Sequence, residues 1–194
     1  MKMKLKMPRG FGLYAALAAV LVTGLIALVV FGPRWLATVP EETAPGVTPA
    51  ADARKIRARL FYVDEQGTGL RGVEQEVLYG EGTVEQARRI IEAQIAPAPA
   101  TQVSAIPEGT RLRTVFFTKT GEIYVDLSAE VQTNHPGGTT NETLTAYAIV
   151  SALTANLPAV TGVQILVEGK EVDTLAGHLD LRRPIEQDLK WVTN

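Results

Sequence analysis

The 194-residue sequence contains no cysteine, and this absence excludes several kinds of chemistry together. Disulfide bonds, zinc fingers, iron–sulfur clusters and thiol chemistry all require cysteine side chains. The lipid attachment of bacterial lipoproteins requires one as well. Histidine is also scarce, since His135 and His178 are the only two and no HExxH motif or histidine–carboxylate cluster at helical spacing accompanies them. We therefore predict no metal or cofactor site and interpret both histidines as solvent-exposed loop residues.

Acidic residues are absent from the first forty positions, because Glu41 is the first carboxylate in the sequence. Five basic residues lie before it: Lys2, Lys4, Lys6, Arg9 and Arg34. Residues 37–194 carry 14 basic and 21 acidic residues, which is a net charge of −7. Their basic residues are scattered, whereas phosphate binding needs clustered Lys and Arg. No nucleic-acid partner is predicted.

A run of 24 uncharged residues begins at Gly10 and ends at Pro33. A helix of this length spans about 36 Å, which is enough for a bilayer core of about 30 Å with some tilt. Trp35 follows the run at a position where an aromatic ring favours the membrane interface. We predict a transmembrane helix over residues 10–33 in the bacterial cytoplasmic (inner) membrane. Because four of the five basic residues precede it, residues 1–9 become a cytoplasmic tail and the following domain lies on the outer or periplasmic side.

Two other interpretations of this run fit less well. A cleaved signal peptide normally has an apolar region of about 7–15 residues followed by a small-x-small site, whereas this run is longer and residues 36–40 are a poor cleavage site. The other interpretation is a buried core helix, which a run of 24 residues without a polar face disfavours. The length of the run therefore favours an uncleaved anchor.

The rest of the chain divides into a linker, one domain and a short tail. Residues 34–56 contain three prolines and no apolar periodicity, which is typical of a semi-extended linker. Residues 57–184 have the size of one domain, and residues 185–194 are predicted to form a C-terminal tail.

Apolar patterning predicts the strands and helices of this domain. Strands are predicted at residues 59–63, 73–79, 111–117, 122–127 and 163–167 and around Val172, and helices at residues 83–95 and 139–156. Each helix begins with a capping box, formed by Thr83 with Gln86 and by Thr139 with Glu142. Residues 132–138 are too rich in polar residues and glycine for regular structure. The order predicts an α+β fold, in which a small mixed or antiparallel sheet carries two helices on one face and follows the transmembrane helix. An exposed edge of such a sheet can accept a partner's strand.

The best candidate for a functional site is the loop before the second helix, which contains Asn134, His135, Gly137, Gly138 and Thr139. Its glycine pair leads into a capped helix N-terminus, whose free N–H groups and dipole favour anions. We predict an interaction loop at this position. The alternative is a plain lead into the helix, because every helix start shares this property.

Two other patterns carry less weight. Residues 67–72 match G-x-G-x-x-G, but the dinucleotide fingerprint must open a helix, and the alternation from Val73 onward predicts a strand. We interpret these glycines as a flexible connection between strands. Asp126, Ser128 and His135 lie within ten positions, yet a hydrolytic triad needs hydrogen-bond contacts that nearness in sequence does not supply. Turn and surface roles are predicted for them.

Three stretches of the sequence form a recognisable pattern. They are Leu60-Phe61-Tyr62-Val63-Asp64, Ser104-x-Ile106-Pro107-x-Gly109-Thr110 and Gly121-x-x-x-Val125-Asp126-Leu127-Ser128. This pattern resembles the GerM, or sporulation and spore germination, domain family over about residues 57–184. The resemblance implies a non-catalytic α+β domain displayed outside the cytoplasmic membrane and similar to the ring-building modules of large secretion-like assemblies. Many relatives are lipoproteins and the best-known members carry two tandem copies, whereas this chain has no cysteine and one copy.

These features together predict a single-pass membrane protein whose outer domain binds a protein partner, another copy of itself or the cell wall, without catalysis. A competing prediction is a cell-wall hydrolase acting through Asp126 or Glu130, which requires a deep pocket with two carboxylates about 5–10 Å apart. A third is a small-ligand sensor, which requires an enclosed apolar cavity.

Overall fold

The computed structural model describes residues 54–193. The transmembrane helix predicted for residues 10–33 and most of the predicted linker lie outside the described residues. Within residues 54–193, no helix combines the length and the apolar character needed to cross a membrane.

The described residues form a mixed α and β structure. The elements in chain order are β1 (Lys55–Val63), β2 (Leu70–Leu78), α1 (Gly82–Ile95), β3 (Leu112–Phe117), β4 (Glu122–Leu127), α2 (Glu130–Thr133), α3 (Thr139–Asn156), β5 (Gly162–Val167), β6 (Lys170–Glu171), a 3₁₀ turn (Leu189–Trp191) and β7 (Val192–Thr193). The predicted α+β class is therefore confirmed.

The strands form two sheets, so the prediction of one small sheet is wrong. One sheet has the order β1-β2-β7 and the other has the order β3-β4-β5-β6. β1 and β2 are antiparallel, with Val63 opposite Leu70 beside the turn that joins the two strands. In the second sheet, β3 and β4 are antiparallel and β4 and β5 are parallel. Alternation within a strand shows which residues share a face, but it does not show which strands pair. For this reason the division into two sheets was not visible in the sequence pattern.

Helix α3 lies between elements of both sheets, which also corrects the prediction that both helices lie on one sheet face. It packs against β1 of the first sheet, β5 of the second sheet and α1. Leu144, Ile149 and Leu153 are buried, and so are the small residues Ala148 and Ala152. A helix that is apolar on all sides is normally a buried one, because no face of it gains from contact with water.

Neither long helix begins with the predicted capping box. The N-cap residues are Glu81, whose side chain makes no capping hydrogen bond, and Gly138, which has no side chain to make one. Gln86 instead reaches back beyond the helix start, where its Oε1 accepts the Gly80 N–H at 2.9 Å. The short helix α2 takes in the first two residues of the stretch predicted to be irregular, and the buried Val131 holds this helix against the core.

The outer edge of β1 is closed by two side-chain amides. Asn156 accepts the Arg59 N–H at 2.9 Å and donates to the Arg59 carbonyl at 2.8 Å. The buried Gln94 makes the same pair of bonds to Phe61, at 2.8 and 2.7 Å. At the end of the strand, the Val63 N–H donates to the Val103 carbonyl at 2.9 Å. These groups occupy the backbone positions that a neighbouring strand would otherwise use.

Residues 185–193, in the region predicted to be a C-terminal tail, make contacts with both sheets. Ile185 and Val163 exchange two backbone hydrogen bonds of 2.9 Å. Val192 pairs with Leu70 in the first sheet. The Trp191 ring stacks on Tyr147 of α3, with 5.9 Å between the ring centroids.

Candidate functional site

The predicted interaction loop lies between α2 and α3 and is tied to a neighbouring segment. Gly137 and Gly138 have φ angles of 79° and 86°, a left-handed conformation that glycine adopts without a steric penalty. The Asn134 Nδ2 donates a 2.8 Å hydrogen bond to the Glu108 carbonyl. Thr139, the last residue of the predicted site, is the first residue of α3. The loop is therefore held against residues 104–111, which contain the Ile106-Pro107-x-Gly109-Thr110 motif.

His135 connects this loop to α3 and to residue 105. Its Nδ1 accepts the Gly137 N–H at 3.0 Å, and its Nε2 lies 3.2 Å from the Thr145 Oγ1. The Thr145 hydroxyl itself donates to the Ala105 carbonyl at 2.6 Å, with the Asn141 carbonyl also within reach at 2.9 Å. Because that hydroxyl has a single proton, the His135 Nε2 must be the donor in their contact. This pattern assigns the neutral Nε2–H tautomer to His135.

The surroundings of His135 favour its neutral form. Burial lowers the pKa of His135; the Glu142 carboxylate opposes this effect and His178 adds to it, so the pKa lies below its ordinary value. His135 is half-buried and hydrogen-bonded, in contrast to the solvent-exposed residue predicted from the sequence. His178 is exposed, as predicted.

A buried carboxylate lies in the first turn of α3, where the sequence predicted a capping box. Glu142 is fully buried, and it accepts backbone N–H bonds from Leu175 at 2.7 Å, Ala176 at 3.0 Å and His178 at 2.8 Å. Its Oε2 also lies 3.3 Å from the His178 Nδ1. Burial alone raises the pKa of Glu142, but the backbone donors of residues 175–179 outweigh it and lower the pKa below the usual value. Glu142 therefore anchors the loop around residue 176 to α3.

This carboxylate changes the electrostatics of the predicted site. Free N–H groups and the helix dipole favour one negative charge near a helix N-terminus. Glu142 already supplies that charge from inside the fold, so the end of α3 offers less to an external anion. The geometry favours contacts through the loop and residues 104–111 over anion binding at the helix start.

A groove of about 550 Å³ lies beside this loop. Its walls are residues 95–98, after α1, and most of residues 104–111. Glu108 and Arg111 are the charged residues of the lining, and the other lining residues are apolar, small or hydroxylic. Since Asn134 donates to the Glu108 carbonyl, the loop and the groove form one continuous surface.

The structure does not assemble Asp126, Ser128 and His135 into a catalytic set. Asp126 accepts the Gly169 N–H at 2.7 Å and pairs with the Arg113 Nε at 3.0 Å. Ser128 accepts the Arg111 N–H at 2.9 Å. Within residues 54–193, no hydrogen bond joins any two of the three residues. Asp126 is buried, contrary to its predicted surface position, because the turn at Gly169 folds over it.

Glu130, the other carboxylate considered for hydrolysis, also has local partners. Its Oε1 lies 3.0 Å from the Arg111 Nη2. A hydrogen bond from Ser128, then a backbone bond and Arg111, lower the pKa of Glu130. Neither Glu130 nor Asp126 lines the groove. These two carboxylates therefore do not face each other across this groove.

The family of this chain is assigned by comparing its sequence with models of protein families. The family model described as "Germane: Sporulation and spore germination" matches residues 59–173, which is more than half of the chain. The chain belongs to the Germane family. Comparison with curated proteins gives no match.

Three solved structures resemble the Germane domain of this chain. One contains the tandem GerMN domains of the sporulation protein GerM from Bacillus subtilis, with a TM-score of 0.52 and 16% identity, and the match covers 71% of this chain and 47% of that one. This chain thus spans about half of the tandem structure. The first GerMN domain of the same protein gives a TM-score of 0.48 and 18% identity, and the match covers 69% of this chain and 96% of that one. A protein from Clostridium perfringens described as a candidate lipoprotein gives a TM-score of 0.49 and 25% identity. The match covers 69% of this chain and 88% of that one.

The structure also shows where the G-x-G-x-x-G match lies and how the possible metal ligands are arranged. The G-x-G-x-x-G match at residues 67–72 covers the β1–β2 turn and the start of β2, so its interpretation as a connection between strands is correct. Asp64 accepts the Thr68 N–H at 3.0 Å and closes that turn. Among residues 54–193, no group of three or more His, Asp or Glu side chains is arranged to hold a metal ion.

Proposed function

We propose that this Germane protein is a single-pass membrane protein whose non-catalytic domain binds a protein partner on the outer side of the bacterial cytoplasmic membrane. The observation that carries the proposal is that the side chains best suited to chemistry are engaged by the fold itself. Asp126 holds the β5–β6 turn, Glu142 holds residues 175–178 and His135 holds its own loop. Family membership supports an envelope-associated module, and the sequence of residues 10–33 supports the anchor.

The first candidate binding surface is the loop of Asn134, His135, Gly137, Gly138 and Thr139 together with the groove beside it. The groove combines an apolar wall with two exposed charges, Glu108 and Arg111. Binding sites of this kind gain affinity from apolar burial and orientation from a few polar groups. The hydrogen bond from the Asn134 side-chain amide to the Glu108 carbonyl holds the surface in one shape before a partner arrives.

The second candidate surface is the outer edge of β3. This strand is at the end of its sheet and pairs with β4 alone. The Thr118 N–H donates to the Glu122 carbonyl at 2.9 Å, and antiparallel alternation then directs the backbone groups of Val115 and Phe117 away from β4. No residue within 54–193 hydrogen-bonds those two N–H groups. Phe116 beside them is 55% exposed, so the edge offers both backbone and apolar contacts.

The proposal is tested by photocrosslinking the full-length protein in its own membrane. A benzophenone amino acid replaces Glu108 in the groove, Phe116 on β3 or, as the control, Arg57 on β1, whose side chain is 84% exposed. We expect a protein adduct of defined mass at Glu108 or Phe116 and none at Arg57. Adducts with lipids and wall fragments only, or equal adducts at all three positions, would contradict the proposal.

Two further measurements separate its parts. Phe117→Pro removes an outward N–H from β3, while Phe117→Ala removes the same ring and keeps the N–H. Loss of the Phe116 adduct in the proline variant alone would assign binding to the strand edge. The predicted topology is tested with a reporter fused to the C-terminus, which should be active only outside the cytoplasm.

A further inference from the structure

His135 is placed so that its second nitrogen cannot take a proton without breaking a hydrogen bond. The Nδ1 is the acceptor of the Gly137 N–H at 3.0 Å, and a protonated Nδ1 is a donor with no lone pair for that bond. The Nε2 cannot exchange roles with it, because the Thr145 hydroxyl already donates to a backbone carbonyl. The neutral ring therefore fits its site and the charged ring does not.

The bonds of His135 are also part of what keeps the loop closed. They connect Gly137, at the middle of the loop, through the ring to Thr145 of α3 and then to the Ala105 carbonyl. Asn134 adds a second connection, to the Glu108 carbonyl. The other hydrogen bonds of the loop are local. The Asn141 Nδ2 donates to the Gly137 carbonyl at 2.8 Å, and the first two N–H groups of the loop donate to carbonyls of α2 at 3.0 and 3.1 Å.

We propose that His135 is a proton-operated latch, which closes the turn between His135 and Gly137 when it is neutral and opens that turn when it is protonated. The turn belongs to the first candidate surface, so the biological role of the latch rests on the proposed function. The opening itself does not depend on any partner and is measured on the protein alone.

The charged groups that face His135 come from two elements. Glu142 of α3 favours the protonated ring, whereas His178, from the loop that Glu142 anchors, disfavours it. Glu142 is itself occupied by backbone donors and by the His178 ring at 3.3 Å, which limits its ability to compensate a charge on His135. Burial of the ring is the largest effect, and it places the release below the ordinary histidine value of 6.5.

The test is an NMR titration of the full-length protein in detergent micelles. Nitrogen shifts of the imidazole rings report the tautomer and the protonation of His135, and amide hydrogen exchange reports the opening of the loop. We expect the neutral Nε2–H form at pH 7. As His135 is protonated, the protection factor of the Gly137 amide should fall about tenfold, which corresponds to the loss of one buried hydrogen bond.

Two variants make the result specific. His135→Gln retains a donor and an acceptor on an uncharged side chain, and its Gly137 protection should not change between pH 7 and pH 5. His178→Gln removes an imidazole whose coulombic effect lowers the pKa of His135, so it should keep the release while moving it to higher pH.

Three results would overturn the proposal: protonation of His135 with unchanged Gly137 protection, the same loss of protection in His135→Gln, or an Nδ1–H tautomer at neutral pH. The outcome is independent of the crosslinking result. Adducts at Glu108 with no change in Gly137 protection would contradict the latch and support the proposed function. Release of Gly137 without protein adducts at either surface would support the latch and contradict the proposed function.

Discussion

The buried carboxylate of Glu142 offers a demanding test of the structure. In Glu142→Ala, the N–H groups of Leu175, Ala176 and His178 lose a charged acceptor to which they lie at 2.7 to 3.0 Å. A hydrogen bond to a charged group is worth about 1.5–3 kcal/mol, and leaving buried partners uncompensated costs about 3–5 kcal/mol in total. His178 is exposed, so water can reach part of the vacated site, and we expect a loss of about 3–4 kcal/mol.

The assay is urea unfolding of the full-length protein in detergent micelles, carried out in a Trp35→Phe background and followed by the fluorescence of Trp191. Glu142→Gln keeps one acceptor oxygen but directs an amide donor at one of the N–H groups, so we expect a smaller loss of about 2 kcal/mol. Glu85→Gln is the matched control, because Glu85 carries the same charge on the partly exposed surface of α1 and pairs only with Arg88 and Arg89. Its change should stay within about 1 kcal/mol.

One result would refute the reasoning. If Glu142→Ala lost no more stability than Glu85→Gln, the three backbone bonds would not be stabilising the domain. A complementary measurement is amide exchange at Leu175 and Ala176. It should accelerate in Glu142→Ala beyond the change in global stability, because these residues are anchored by the carboxylate directly.

Three further predictions follow from other contacts. Because hydrogen bonding lowers the folded pKa of Glu142, its stabilisation should be complete above about pH 4.5 and should disappear as the pH falls through the folded pKa, and Glu142→Gln should flatten this part of the pH–stability curve. Gln94→Leu should cost about 2–4 kcal/mol in urea unfolding, because it leaves the Phe61 N–H and carbonyl without partners, whereas the exposed Gln187→Leu should be nearly neutral. Ser151→Ala should stabilise the domain by about 1 kcal/mol, since the buried Ser151 hydroxyl has no hydrogen-bond partner within residues 54–193, and an unchanged or lower urea midpoint would contradict this.

Local features of the fold were predictable from the sequence, whereas contacts between remote segments were not. The predicted strand at residues 122–127 coincides with β4, because alternating apolar residues mark a strand wherever it pairs. The partner of a strand leaves no such mark. The pairing of Leu70 with Val192, for example, brings together residues from opposite ends of the described chain.

The candidate site shows the same division. The glycines and the polar composition of residues 134–139 pointed to a loop before a helix, and the structure places a loop there. Glu142 was interpreted as half of a capping box because it lies three residues after Thr139. Its actual partners are the backbone groups of residues 175, 176 and 178, and backbone N–H groups have no sequence signature. The role of His135 was missed for a similar reason, since Thr145 and Ala105 come from two separate segments.

The two amides that close the edge of β1 have a consequence for folding. The β1–β2 hairpin joins neighbouring segments and can form early, but Gln94 belongs to α1 and Asn156 belongs to α3. Until both helices dock, the edge at Arg59 and Phe61 is open to strands of other unfinished chains. Substitutions at Gln94 or Asn156 should therefore increase aggregation during refolding in addition to lowering the stability of the folded domain.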